Sequence, residues 1–200
     1  KDIDLMIFRR KKELSGSGIL PKALARKCPS PFLFVAEDAS LQIKKIAIAT
    51  DFSEHSELVY RKAREISDSQ GSDITAYHTY NVPIGYYKTG KSYDEFASIM
   101  KGHAEKHFED FLKKLEIEKS DLDCKYLLFE DGWHADELVD DMIKDGCDFI
   151  IMGSKGRTNA SALLLGSMAE RMVDADTKIP LMVIKKKNEN MGFFKALLNL

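Results

Sequence analysis

Cysteine is scarce in this chain: three in 200 residues, Cys28, Cys124 and Cys147. The number is odd, no two form a CxxC, and none has a histidine at ligand spacing. That argues against a disulfide framework or a zinc site and fits buried or idle reduced thiols in a reducing cytoplasm. Long hydrophobic runs are missing too. No stretch approaches the ~18 apolar residues of a membrane-spanning helix, and no signal-peptide pattern opens the chain. The sequence therefore reads as soluble and cytoplasmic, with no membrane partner. An excess of one charge is also lacking. With a formal charge of −2 and both signs interspersed, there is no global field to recruit nucleic acid. Neither GxGxxG, the dinucleotide fingerprint, nor GxxxxGK followed by Ser or Thr, the Walker loop, occurs. No Ser–His–Asp or Cys–His arrangement stands out.

What is present is globular. With 44% hydrophobic and 31% charged residues the chain lies outside disordered composition. Its length suffices for one ordinary domain plus part of another. It starts on Lys1 and runs straight into strand-like sequence, so it is expected to be a fragment of something longer.

From Lys44 onward, strand and helix patterns alternate. KKIAIAT (44–50) is a short β-branched run suited to a strand buried on both faces. SEHSELVYRKAREISDSQ (53–70) has an apolar helical stripe at Leu58, Ala63 and Ile66, with Ser53 as N-cap and Gly71 as the C′ glycine. SDITAYHTYNV (72–82) is a second strand. In a long helix after it, Phe96, Ile99, Met100, His103, His107, Phe108, Phe111, Leu112 and Leu115 recur at spacings of three and four. DCKYLLFE (123–130), DFIIM (148–152) and IPLMVIK (179–185) are further strands, separated by helices at 136–146 and 168–175. Pro180, near the start of the last strand, suits an edge position. Such alternation implies a doubly wound parallel sheet, in which ligands bind beyond the carboxyl ends of the strands.

The first residues repeat part of this order. DLMIF (4–8), a helix candidate at 19–27 and PFLFV (31–35) align with DFIIM and the strand after Pro180. Asp4 and Pro31 lie 27 residues apart, and Asp148 and Pro180 lie 32 apart, so the first copy has a shorter loop. Residues 1–36 thus read as the β-α-β end of a preceding, degenerate copy, followed by a linker (37–43), a complete domain (44–186) and a tail (187–200). The two early strands are expected to pair with strand five of a copy, in cis or through a second protomer.

After the fourth strand of the complete domain comes GSKGRTNASALLLGS (153–167). Glycine lets backbone approach an anion closely. Gly166 and Ser167 fall where a helix begins, so free amides, the positive dipole end and a hydroxyl meet there. Lys155 and Arg157 add charge. On this physics the stretch is either a phosphate loop or a plain connection. In the first copy, Arg9 and Lys12 stand where Gly153 and Gly156 fall.

The pattern Gly153-x2-Gly156-x9-Gly166-Ser167 resembles the nucleotide loop of the universal stress protein family, in its ATP-binding branch, and KKIAIATDFSEHSELVYRKA resembles that family's first strand, acidic turn and first helix. The resemblance covers 44–185, with 4–35 as the end of a preceding copy. It implies a Rossmann-like five-stranded parallel sheet of order 3-2-1-4-5 and an ATP site across strands one and four. Gly153, Gly156, Gly166 and Ser167, with Met152, Ser154, Arg157 and Met168 beside them, would hold the phosphates. Ala49, Thr50 and Asp51 would lie near the ribose or adenine, and the backbone at Thr79 and Tyr80 would meet the adenine edge. A magnesium or manganese ion would ride on the phosphates. The family's strand-five pairing implies self-association, as a homodimer or within a tandem chain. Ala49 departs mildly from the residues the family often has there.

No general-base pair adjoins the loop, so binding with at most slow hydrolysis is expected, not an enzyme. The alternative is an interaction scaffold of the same fold with a vestigial loop. A phosphoacceptor receiver, using Asp51, Asp131 and Lys185, is a third reading. It has no use for three glycines. His103 and His107, at i and i+4, could chelate a metal but read as partly buried structural histidines. Trp133-His134, after the third strand, could approach the nucleotide mouth but read first as a turn before a helix. Five of the seven tyrosines fall at 77–93, packed under a long loop or forming a lid or partner surface. The tail, with Phe193, Phe194, Leu197 and Leu198 at helical spacing, is expected to dock as an amphipathic helix on a neighbouring domain or protomer, ahead of disorder and, last, membrane contact.

Overall fold

The computed structural model describes residues 3–10, 19–27, 30–36, 42–129, 135–156, 165–175 and 178–185. Arg157, Asp131, Trp133, His134, Cys28, the 37–41 part of the linker and the tail from 186 lie outside them. The elements are β1 (Met6–Arg10), α1 (Ile19–Lys27), β2 (Phe32–Ala36), β3 (Lys45–Ala49), α2 (Glu54–Gln70), β4 (Asp73–Asn81), a 3-10 turn (Tyr86–Thr89), α3 (Tyr93–Leu115), β5 (Asp123–Phe129), α4 (Ala135–Lys144), β6 (Phe149–Gly153), α5 (Ser167–Asp174) and β7 (Leu181–Ile184).

One sheet of seven strands, order β1-β2-β7-β6-β3-β4-β5, runs through these residues. Within 42–185 the order β5-β4-β3-β6-β7 is the expected 3-2-1-4-5, and every pair in it is parallel. The sheet does not stop at five strands, because β2 adds antiparallel to β7 and β1 lies parallel to β2. This corrects the edge position expected from Pro180. β7 is an interior strand with all four residues buried. Pro180 immediately precedes it, where its missing N–H interrupts no ladder bond and its carbonyl still accepts from Ile150 N at 2.9 Å.

The β1–β2 pairing repeats β6–β7 in register. With Asp4 set on Asp148 and Pro31 on Pro180, the partners Met6↔Phe32 to Arg9↔Val35 fall on Ile150↔Leu181 to Gly153↔Ile184. The flanking bond recurs as well, Met6 N to Pro31 O at 3.0 Å. β2 and β7 meet about Leu33↔Met182, which correspond in that alignment, so the junction has local two-fold symmetry.

Side chains alternate along the strands into two cores. Ala47, Ile150, Met152, Leu181 and Val183 face α4, α5 and α1, meeting Leu138, Met142, Met172 and Ala25. Ile46, Ile48, Phe149 and Ile151 face α2 and α3, meeting Val59, Ala63, Phe108 and Phe111. α2 ends as expected at Gly71, φ 69°, whose N–H bonds to Ser67 O at 2.8 Å. Its start differs. Ser53 holds the N-cap position, but its hydroxyl makes no cap bond. Among the described residues no helix is long and apolar enough to cross a membrane.

Candidate functional site

β3 and β6 are neighbours whose connections leave in opposite directions: β3 leads to β4 on one side and β6 to β7 on the other. Their carboxyl ends define the switch point at which such sheets bind ligands.

The turn after β3 is fixed by its own side chains. Thr50 N donates to Tyr77 O at 2.9 Å, and Phe52 N to Thr50 Oγ1 at 3.1 Å. Asp51 N donates to Ser56 Oγ at 3.2 Å. The Asp51 carboxylate accepts from Ser56 Oγ at 2.9 Å and Ser53 N at 3.1 Å. The tightness forces Phe52 into the left-handed region, φ 62°, which costs an L-residue about 1–2 kcal/mol. Aromatic packing offsets that cost: the Phe52 ring stacks on His78 at 4.3 Å and leans on Phe108 and Phe111. His78 Nδ1 lies 2.8 Å from Thr50 O, and since a carbonyl only accepts, Nδ1 is the donor.

Across the switch point, Ser154 is buried and its N–H donates to Ile184 O at 2.9 Å. Its carbonyl accepts from Gly166 N at 2.7 Å. That bond brings the end of the glycine stretch back against its beginning and seats the first turn of α5, with its unpaired amides and positive dipole end, at the strand ends. A Cβ placed on Gly156 would collide with Oδ2 of Asp51, and one on Gly153 would come 3.1 Å from Lys155 O. A side chain at Gly156 would thus have to displace the Asp51 carboxylate, and one at Gly153 would press on the Lys155 carbonyl.

A cavity of about 440 Å³ opens between these walls, within the usual range for small-molecule sites. Every expected site residue that lies among those described lines it: Ala49, Thr50 and Asp51 from the β3 end, Thr79 and Tyr80 from β4, Met152, Gly153, Ser154 and Gly156 from β6 onward, and Gly166, Ser167 and Met168 at α5. Lys155 lines it as well. Asn81, within the 79–82 strand end that the sheet rule singles out, lines it too, whereas sequence reasoning missed Ser56, Tyr77, His78 and an entire wall from α3, namely Met100, His103, Ala104 and His107. The histidine spacing was the available signal. The partly buried structural role expected for His103 and His107 is corrected here, since both are exposed. Burial on α3 follows Ala97, Ala104, Phe108, Phe111, Leu112 and Leu115 instead.

Tyr77 is a rigid part of the floor, fully buried, with its hydroxyl donating to Asp145 Oδ2 at 2.7 Å and Cys147 Sγ 3.4 Å away. Burial raises the Tyr77 hydroxyl well above the ordinary phenol range, and its Cys147 and Asp145 partners add to the rise. Lys125 Nζ, 2.5 Å from Asp145 Oδ1, followed by the Tyr77 hydroxyl, holds the Asp145 carboxyl below its ordinary value. The fold therefore favours the anion. Its contribution is complete above the ordinary aspartate range and is lost as pH falls through the lowered folded value. Asp145→Asn should cost about 1 kcal/mol near neutral pH, given the half-exposed lysine. In urea titrations the gap to wild type should close in strong acid. A gap that persists there would contradict the linkage.

Burial raises both described thiols, Cys124 up to about 12 and Cys147 in the same direction, which disfavours the thiolate form at neutral pH. Lys185 Nζ donates to Ala25 O at 2.8 Å and lies 5.5 Å from the Phe32 ring centre. The lysine required by the receiver reading is thus engaged with α1 and β2. Among the described residues no group of three or more His, Cys, Asp or Glu could hold a metal ion.

Fold and site together define a doubly wound α/β protein with a ligand-sized cleft at its switch point. Residues 42–185 match the model of the universal stress protein family, and the chain belongs to that family. It is 27% identical over 161 residues to Universal stress protein MJ0577 of Methanocaldococcus jannaschii, covering 74% of this chain and 99% of that protein. The solved structure of MJ0577 superposes with a TM-score of 0.58. It is also 28% identical over 145 residues to Universal stress protein MJ0531 of the same organism, covering 72% of this chain and 82% of the other. A crystal structure from Pseudomonas aeruginosa shares the fold over 98% of this chain and 68% of its own, with a TM-score of 0.65 at 16% identity.

Proposed function

We propose that this chain is an adenine-nucleotide-binding regulatory module of the ATP-binding branch of its family. One observation carries the reading: the glycine stretch folds back against Asp51 across the switch point, so closely that Gly156 has no room for a Cβ. Such a cradle suits a phosphate chain. Gly153, Gly156, Gly166 and Ser167 would offer backbone amides, a hydroxyl and the α5 dipole, and Lys155 and Arg157 would add charge. Asp51, Ala49 and Thr50 would flank the ribose or adenine, and the Thr79–Tyr80 backbone the adenine edge. When bound, ATP would bring its own magnesium or manganese on the phosphates. The Asp51 carboxylate is committed to Ser53 and Ser56, which supports holding a nucleotide rather than activating water. On this reading hydrolysis is at most slow, and the protein is a cytoplasmic regulatory stress-response module, not an enzyme, with neither nucleic acid nor membrane as partner.

The repeated register of β1–β2 and β6–β7 supports a tandem reading, in which residues 1–36 end a degenerate first copy and strand-five pairing is made within the chain, as β2 on β7. A homodimer would use the same pairing between chains.

Thermal shift with Mg-ATP tests the nucleotide reading. Saturation to about 100 times the dissociation constant stabilises by about 2.7 kcal/mol. For a chain of this size that raises Tm by roughly 5–10 °C. No shift at millimolar nucleotide would favour the interaction scaffold with a vestigial loop.

A further inference from the structure

The cleft has a wall that the glycine loop and Asp51 do not explain. α3 packs against β4 and β5, and Met100, His103, Ala104 and His107 on it line the cavity. They stand at i, i+3, i+4 and i+7 and so share one helical face. Core packing accounts for the buried Ala104 but not for His103 and His107, which are exposed, while Phe108, Phe111, Leu112 and Leu115 anchor the helix. Its chemistry is that of a surface for a flat heteroaromatic ring. The four side chains are a thioether, a methyl and two imidazoles, with no acid among them. Sulfur and imidazole pack against ring faces, and each imidazole also has two ring nitrogens that hydrogen-bond.

Position separates this wall from the glycine loop. The loop belongs to β6 and α5, the wall abuts β4, and β3 lies between. Two strand spacings put them about 10 Å apart, a separation that one nucleotide spans from phosphate to base. Resting on the nucleotide reading above, we propose that Met100, His103 and His107 form a base-reading wall, stacking on and hydrogen-bonding the heteroaromatic end of the ligand and so adding to base preference. The glycine loop grips the phosphates whatever the base. The helix adds ring-face and imidazole contacts to the edge reading by the Thr79–Tyr80 backbone.

Calorimetric titration of the full chain with Mg-ATP, Mg-GTP and magnesium tripolyphosphate tests this, comparing wild type with the His103→Ala/His107→Ala double variant. The variant should bind ATP about tenfold more weakly, within the range for loss of a base-stacking partner. Its ATP-to-GTP preference should fall severalfold, to what the Thr79–Tyr80 backbone alone provides, while tripolyphosphate affinity stays unchanged. Both positions are exposed and alanine is a better helix former, so Tm should hold. A His103→Phe/His107→Phe variant should keep much of the affinity and show the same fall in preference, since it stacks without hydrogen-bonding. Unchanged ATP affinity and preference in the alanine variant would overturn the proposal. So would an equal loss for tripolyphosphate, which would mark the histidines as an electrostatic wall. Should wild type bind none of the three probes, the nucleotide reading itself falls and this wall with it. Wild-type binding with an insensitive variant defeats the wall alone.

Discussion

Gly156→Asp should weaken Mg-ATP binding by at least about 100-fold and leave the fold in place. The new Cβ would occupy space now held by the Asp51 carboxylate, which is tethered by Ser56 and Ser53 and cannot swing away without losing both bonds. The added carboxylate would also put a second negative charge where a phosphate is to sit. At about 4 Å, like charges near a protein surface repel by about 1–4 kcal/mol, and roughly 2.7 kcal/mol corresponds to the stated hundredfold. Gly156 does not have a positive φ, so an L-residue there is not strained in its backbone, and circular dichroism with thermal melting should show a folded protein. Gly156→Ala, which adds bulk without charge, should fall between the two. Equal ATP affinity in wild type and Gly156→Asp would place the phosphate chain elsewhere.

The largest stability effect is expected at the junction between the early strands and the rest of the sheet. Phe34 is 2% exposed and Phe32 fully buried. Their rings lie 5.5 Å apart, and Phe8 stands 5.3 Å from Phe34. Both join the core that includes Leu181, Val183 and Ala25. Phe34→Ala should cost about 3–5 kcal/mol, a fall in Tm of roughly 6–20 °C. Phe34→Leu should recover much of it. A loss under about 1 kcal/mol in urea denaturation would mean that β1 and β2 contribute little to the cooperative unit.

Much of this was written in local pattern. The β-branched runs at 45–49 and 149–152 announce strands buried on both faces, and the rule for doubly wound sheets brings the residue after β3 and the glycines after β6 together before any contact is known. What stayed hidden depends on the third dimension. His103 and His107 share a periodicity of three and four with Phe108, Phe111 and Leu115, and periodicity names a face without saying whether a core or a cavity lies beneath it. Tyr77 and His78 sit inside a strand, where alternation sends one to each side of the sheet, and only the depth of the cleft brings both to its lining. Pro180 is tolerated at an edge or just ahead of a strand, and the sequence cannot separate these until β2 is seen on β7. Ser53 has the right identity for a cap, but identity alone does not aim the hydroxyl, which makes no cap bond.

The central claim is that the cleft lined by the glycine stretch and Asp51 holds a nucleotide, and equilibrium dialysis against labelled Mg-ATP tests it most directly. The account predicts saturable uptake of one ATP per chain below millimolar concentration, absent in Gly156→Asp. No uptake by the wild-type protein at millimolar ATP would contradict it.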